Sequence, residues 1–232
     1  MTGPFSGYEL HNLHDLGGLI TPSGAIRTRR LFRSANPDSL TVNGWQQLLD
    51  AGVRTLVDLR NEDERVSTVR PDALRVERHP IEDQTDTEFM GVWGNRLGSP
   101  EYYPEVTRRW PRLVAAAVAA IADAPEGGVL IHCMAGRDRT GMITAILLEL
   151  VGVDREAIFA DFAQSAREIN DWWRIHGGPK GSQSDGELAA YLLEAKSTLN
   201  AFLDELDTIA YLHNAGVSQE QLHRLRSRLV DP

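Results

Sequence analysis

A cysteine, two arginines, an aspartate and a threonine fall within HCMAGRDRTG, His132 to Gly141. Cys133 is the only cysteine of the chain, and five residues separate it from Arg139. That spacing lets a loop curl around a tetrahedral oxyanion. The loop segment Met134, Ala135, Gly136, Arg137, Asp138 and Arg139 is therefore the predicted anion-binding ring. Backbone N–H groups of such a loop and of the helix turn after it converge on one point, and the helix dipole adds partial positive charge there. Cysteines in such a field commonly titrate at roughly 3.5–7.5 instead of about 8.5. A thiolate at Cys133 facing a bound phosphate is a nucleophile facing its electrophile. The planar fork of Arg139 suits two phosphoryl oxygens and the charge that spreads over them during transfer. Thr140 can offer its hydroxyl to the sulfur, and His132 can hold the loop through a ring hydrogen bond.

A phosphate ester also needs a proton for its leaving group. A Trp-Pro-Asp triplet, the common device for this on a separate loop, does not occur in the chain. The candidates are Asp138 inside the loop, the carboxyls of IEDQTD (Glu82, Asp83 and Asp86), and water. Arg137 reads equally as a solvated rim residue or a cation facing the substrate. Asp58 and Arg60 end a segment close to this site in the expected fold. They read as a local salt bridge, with Arg60 as a possible support of the loop.

The loop must be positioned by regular elements, and the flanking sequence supplies them. GGVLIHC reads as a buried strand and RTGMITAILLELVG as a helix. TVNGWQQLLDAGVRTLVDLR reads as a helix capped by Thr41 and ended by Gly52, followed by a second buried strand. Leu74 to Ile81 reads as a further strand. YYPEVTRRWPRLVAAAVAAIADAP reads as a helix starting near Pro111 or kinked there. Alternating strands and helices imply an α/β layer with a mainly parallel central sheet flanked by helices. Beyond it, DREAIFADFAQSAREINDWWRIHG, DGELAAYLLEAKSTLNAFLDELDTIAYLHNAG and SQEQLHRLRSRLV carry helical periodicity, with Asp154 and Ser218 as N-caps. Residues 177–186, GGPKGSQSDG, form a polar loop that can serve with these helices as a lid. The organisation is a single domain over residues 1–232: an α/β core over 1–153 and a helical extension over 154–232.

Composition narrows the function classes. The chain has 232 residues, 42% hydrophobic and 25% charged, as expected of a globular domain. Its net charge of -9 argues against a general nucleic-acid binder. One cysteine permits no internal disulfide and no Cys-rich metal site, and suits a reducing compartment. The first residues lack a basic start followed by an apolar run, and LVAAAVAAIA is too short to span a bilayer. A cytoplasmic location without stable membrane insertion is the expectation, leaderless secretion staying open. His79, His176 and His213 give no metal-ligand spacing, so no metal and no cofactor are expected. Trp172 and Trp173 read more as helix-packing residues than as a substrate wall, NLHDLGG as a structural turn, and Arg27 to Arg30 more as a solvated turn than as a contact to an acidic partner.

HCMAGRDRTG resembles the Cys-x5-Arg-Ser/Thr signature of cysteine-dependent protein tyrosine phosphatases. More narrowly, it is similar to the HCxxGKDRTG pattern of a bacterial tyrosine/lipid phosphatase family. NLHDLGGLITPSGAIRTRRLFRSANPDSLT resembles that family's NFRDLGG…G…RLYRS…L stretch, which puts Asn12, Asp15 and the glycines of NLHDLGG near the active site, and GVRTLVDLRNEDER resembles its GIRTVVDLRxxxER. YLHNAGVSQEQLHRLRSRLV resembles its closing helices, so the likeness covers most of the chain. It implies a protein tyrosine phosphatase-like fold and metal-independent phosphomonoester hydrolysis through a cysteinyl-phosphate. It assigns the general acid to the loop aspartate, Asp138 here, with Asp83 as the alternative. It implies phosphotyrosine proteins, dual-specificity protein substrates or phosphoinositides as the substrate classes. Two positions depart from the pattern: Arg137 replaces a lysine linked to phosphoinositide activity, and His14 replaces an arginine. A non-catalytic phosphate-binding module keeps the same loop, but such proteins often lose the cysteine or the arginine. Sulfur transfer or arsenate reduction fits less well, the latter needing further cysteines.

Overall fold

The computed structural model describes residues 5, 7–178 and 181–230. In chain order the elements are β1 (His14–Asp15), β2 (Ile20–Thr21), β3 (Gly24–Ala25), β4 (Leu31–Ser34), α1 (Val42–Ala51), β5 (Val53–Asp58), β6 (Arg75–Arg78), α2 (Thr87–Trp93), α3 (Tyr103–Arg109), α4 (Pro111–Asp123), β7 (Gly128–His132) and α5 (Asp138–Leu150). Four helices follow: α6 (Arg155–His176), α7 (Asp185–Glu205), α8 (Thr208–Ala215) and α9 (Gln219–Leu229). Short 3-10 turns lie at Glu62–Glu64 and Pro100–Tyr102.

The central sheet runs β1-β4-β7-β5-β6, with only the β1–β4 pair antiparallel. The mainly parallel α/β sheet expected from the sequence is the one observed. β7 lies in its middle, and all five of its residues are buried, as a strand covered on both faces requires. Alternate residues feed two cores. Val129 and Ile131 face one with Val57 and Leu31, beneath α4, α5, α8 and α9. Leu130 faces the other with Phe32, Leu56, Trp45 and Leu48. Helix α5 is apolar nearly all round because both its neighbours and the sheet surround it.

Several boundaries differ from the sequence reading. The strand expected over Leu74 to Ile81 narrows to β6, an edge strand paired on one side only. The helical stretch from Tyr102 to Pro125, expected to start near Pro111 or kink there, is two helices with the second starting at Pro111. Trp110 leaves the helical region at φ -126, ψ 50, because a residue before proline is pushed out of it, and Pro111 then starts α4. The long helix expected over 185–216 also divides, since the Asp207 side chain caps α8 through Ala210 N. Thr41, Gly52, Asp154 and Ser218 cap as the sequence implies. Strand β4 and helix α2 carried no signal strong enough to place them. Arg27 to Arg30 is not a merely solvated turn. Arg29 donates to Ala51 O and Asp50 O, Arg30 pairs with Glu126, and Arg27 donates to Ser227 O.

Candidate functional site

The loop between β7 and α5 is held from behind through its carbonyl groups. Met134 O accepts from Asn36 N at 2.9 Å. Ala135 O accepts from Asn12 Nδ2 at 2.8 Å. Gly136 O accepts from Arg33 Nη2 at 2.6 Å and from Ser165 Oγ at 3.3 Å. Arg137 O accepts from Arg33 Nη2 at 3.4 Å and from Gly141 N at 2.9 Å. In a trans peptide the carbonyl and the following N–H point in opposite directions. The amides of residues 135–138 therefore point away from Asn12, Arg33 and Ser165. Among the described residues no backbone carbonyl accepts from them. They form a row of donors at the start of α5, where the helix dipole favours an anion.

Gly136 makes this path possible. Its φ is 71, and a Cβ there would lie 2.1 Å from Ser34 O. Arg33 holds the rear of the loop while fully buried, which demands a paired charge. Asp161 on α6 supplies it. Both ring nitrogens of His14 face carboxylates, Nδ1 that of Asp161 at 3.4 Å and Nε2 that of Glu168 at 2.9 Å. Burial pushes the His14 imidazole down, but the hydrogen bonds to Asp161 and Glu168 outweigh it, and its pKa is raised. NLHDLGG lies beside the loop, as the resemblance implies: Asn12 bonds it directly, and His14 acts through Asp161.

Cys133 directly follows β7 and is 3% exposed. Arg139 is 8% exposed, and Nη1 and Nη2 grip the two oxygens of Glu64. The Glu64 carboxylate also accepts from Asn61 N at 2.9 Å, so the 3-10 turn that carries it is locked. Burial pushes the Glu64 carboxyl up, but Arg139 and Asn61 overcome this and hold it below its ordinary value. Burial acts against the charge of Arg139, and Glu64, the Cys133 sulfur and Glu82 reverse the effect, raising its pKa. Glu82 Oε1 stands 3.6 Å from Arg139 Nε.

Of the proposed acids, Asp138 is the first residue of α5 and accepts from Arg137 Nε at 3.0 Å. Its backbone carbonyl accepts from Tyr103 Oη at 2.8 Å. Asp83 is spent on a local turn, accepting from Thr85 N and Oγ1. Asp86 caps α2 and pairs with Arg109. Arg137 is not a solvated rim residue. It is 9% exposed, with its guanidinium over Trp173 at 5.2 Å and Tyr191 at 5.5 Å. Trp172 packs instead, stacked between His11 and His176. Tyr191 Oη donates to Gly98 O at 2.8 Å, tying α7 across the site's edge.

The supporting residues divide. His132 bonds Cys133 O through Nδ1 at 3.2 Å, and burial lowers its pKa to about 4. Arg60 pairs with Asp58 and Asp38 and organises the end of β5; among the described residues it forms no hydrogen bond to the loop. Thr140 Oγ1 is buried with no hydrogen-bond partner and does not reach the sulfur. Glu64, Arg33, Ser165 and Tyr103 were not singled out by the sequence reading. An arginine inside the apolar run LFRS is the signal that could have found Arg33, since such a cation must meet a buried acceptor.

A parallel sheet whose central strand runs through a cysteine-bearing anion loop into a helix is the architecture of a protein tyrosine phosphatase. Residues 6–231 match the tyrosine phosphatase family, and the chain belongs to it. It is a phosphoric monoester hydrolase. It is 29% identical to the triple specificity protein phosphatase PtpB of Mycobacterium tuberculosis, over 94% of this chain and 96% of that one. A tyrosine-protein phosphatase of Nostoc commune is also 29% identical, over 88% of this chain and 76% of its own length. The solved structure of P. aeruginosa TpbA in complex with pTyr matches with a TM-score of 0.35 and 22% identity, over 82% of this chain and 96% of that one.

Proposed function

We propose that the chain removes phosphate from phosphotyrosine in proteins through a cysteinyl-phosphate on Cys133. The observation that carries this reading is the loop's polarity: carbonyls pinned outward, amides free, and Arg139 fixed by Glu64 beside the sulfur. In the first step the Cys133 thiolate attacks phosphorus, the ester P–O bond breaks, and the leaving oxygen takes a proton from Asp138. In the second, water attacks phosphorus, the S–P bond breaks, and the Asp138 carboxylate takes a proton from that water. Phosphate leaves and the thiolate is restored. The loop amides and Arg139 stabilise the charge on the equatorial oxygens in both steps. Arg137 orients Asp138, and its own cationic face is covered by Trp173 and Tyr191. That cover favours phosphotyrosine over a polyphosphorylated inositol, although the M. tuberculosis relative is named for triple specificity. Helices α6 and α7 act as the lid of this site within one phosphatase domain. Residues 179 and 180 of the expected lid loop lie outside the described residues. Among the described residues no helix is long and apolar enough to cross a membrane. The reducing cytoplasm is the compartment that suits a catalytic thiol.

The test is aryl phosphate hydrolysis with vanadate inhibition, in the parent and in Cys133→Ser. Turnover is expected to vanish with the sulfur, and turnover surviving Cys133→Ser defeats the mechanism. Asp138→Asn is expected to slow alkyl phosphates far more than aryl ones. Equal loss on both, or full rate on an alkyl phosphate, removes Asp138 as the acid. Rates on phosphotyrosine, phosphoserine and phosphothreonine peptides and on phosphoinositides decide the substrate class.

A further inference from the structure

Glu82 is 1% exposed, yet it is the least satisfied carboxyl around the loop. Oε1 accepts from Gln84 Nε2 at 2.7 Å and lies 3.6 Å from Arg139 Nε. Oε2 is buried with no hydrogen-bond partner. Glu64 differs, because both its oxygens are held by Arg139 and one also by Asn61 N. Asp138 differs too, being bonded to Arg137.

The terminal nitrogens of Arg139 already face Glu64, so the open fork of its guanidinium is the edge that includes Nε. Glu82 stands beside that edge. A phosphoryl dianion that takes the fork arrives next to Glu82 while Glu64, paired with Arg139, already carries negative charge nearby. An unpartnered buried carboxyl oxygen is costly as an acceptor, but as a hydroxyl it is a donor facing an arriving acceptor.

We propose, resting on the phosphatase reading, that Glu82 is a positioning residue that takes up one proton from solvent when the loop binds a phosphate dianion. The proton removes the charge that would compete with the phosphate for Arg139, and Glu64 continues to hold that arginine in place. The groups that face Glu82 are Arg139 and Asp138 from α5, Glu64 from its 3-10 turn, Gln84 from its own loop, and the buried Tyr102 hydroxyl. Burial pushes the Glu82 carboxyl up, and Glu64 and Asp138 push the same way, against Arg139 and Gln84.

The experiment uses the full chain carrying Cys133→Ser, so that no thiol titrates. Tungstate, a dianion throughout the range used, is titrated by calorimetry at pH 6–8 in two buffers of different ionisation heat. About one proton is expected to enter per tungstate bound, with affinity falling about tenfold per pH unit as pH rises. Adding Glu82→Gln, which keeps the shape, is expected to abolish uptake and flatten the pH dependence. Adding Asp138→Asn instead is expected to leave uptake in place. Binding without uptake, or uptake that survives Glu82→Gln or disappears with Asp138→Asn, overturns the proposal. Should Glu82→Gln not fold, the slope in Cys133→Ser alone decides, and a flat slope overturns it. Failure of the phosphatase reading is separate: it shows as absence of aryl phosphate hydrolysis by the unaltered chain.

Discussion

Gly136→Ala tests the central geometric argument, that the loop exists in one conformation because β4 lies directly behind it. The added methyl carbon would sit 2.1 Å from Ser34 O, 2.3 Å from Ser34 C and 2.6 Å from Ala35 N, all backbone atoms that cannot rotate aside. Ordinary contact begins near 3.4 Å, so the loop or the strand must move by about 1.3 Å. The positive φ of 71 adds about 1–2 kcal/mol for any residue with a Cβ. Overpacking adds about 1–3 kcal/mol. A loss of about 2–5 kcal/mol in a chain of this size lowers Tm by roughly 4–20 °C. Activity should suffer more than stability. Moving the loop breaks the Arg33 bond to Gly136 O and misaims the amides beside it. A displacement near 1 Å at a reacting centre costs about 100-fold. The assay is kcat/KM on an aryl phosphate at 15 °C, with Tm measured on the same samples to check that both are folded there. A variant with kcat/KM within about threefold of the parent and an unchanged Tm refutes the close-packing argument. A lowered Tm with full kcat/KM refutes the link from loop position to chemistry.

Glu64→Gln should lower kcat/KM by about 10- to 100-fold, because Arg139 loses the charged fork that aims it; an unchanged rate on aryl phosphate counts against that role. His132 has a folded pKa of about 4 against about 6.5 unfolded, so its contribution is intact above pH 6.5 and is lost as pH falls towards 4. That loss amounts to about 3 kcal/mol, and urea midpoints for the parent and His132→Gln should converge by pH 4. His14 has the opposite sign. Its folded pKa is raised, so its contribution is full below about 6.5 and is lost as pH rises through the folded value. His14→Gln should therefore cost most stability near pH 6 and progressively less towards alkaline pH; a difference that grows with pH contradicts the two-carboxylate geometry.

The local pieces of the site were legible in the sequence because each obeys a short-range rule. A buried apolar run, a loop of fixed length and an apolar helix define where Cys133 and Arg139 lie relative to each other. Thr41, Gly52, Asp154 and Ser218 declare their helix ends by residue type alone. What holds the loop was not legible, because it depends on distant pairings. Glu64 belongs to NEDER, where any of three acids could be solvated. Only the folded sheet brings that turn under Arg139. Arg137 was ambiguous for the same reason: its aromatic neighbours, Trp173 and Tyr191, come from helices beyond the core. The division of the helix at Trp110 was half legible through Pro111, whereas β4 was hidden by its brevity and its arginine.

The pinning of Gly136 O has a consequence for when the enzyme first becomes active. Its partners are Arg33, 103 residues upstream, and Ser165, 29 residues downstream. Arg33 and Ser165, themselves in contact, are 132 residues apart. At translation rates of about 5–20 residues per second, those two are made roughly 7–26 s apart. Cys133, the proposed nucleophile, is synthesised before the last brace that shapes its loop. A ribosome-bound chain ending shortly after Cys133 therefore carries the thiol without an ordered oxyanion cradle, and catalytic competence arrives only once α6 has emerged and docked.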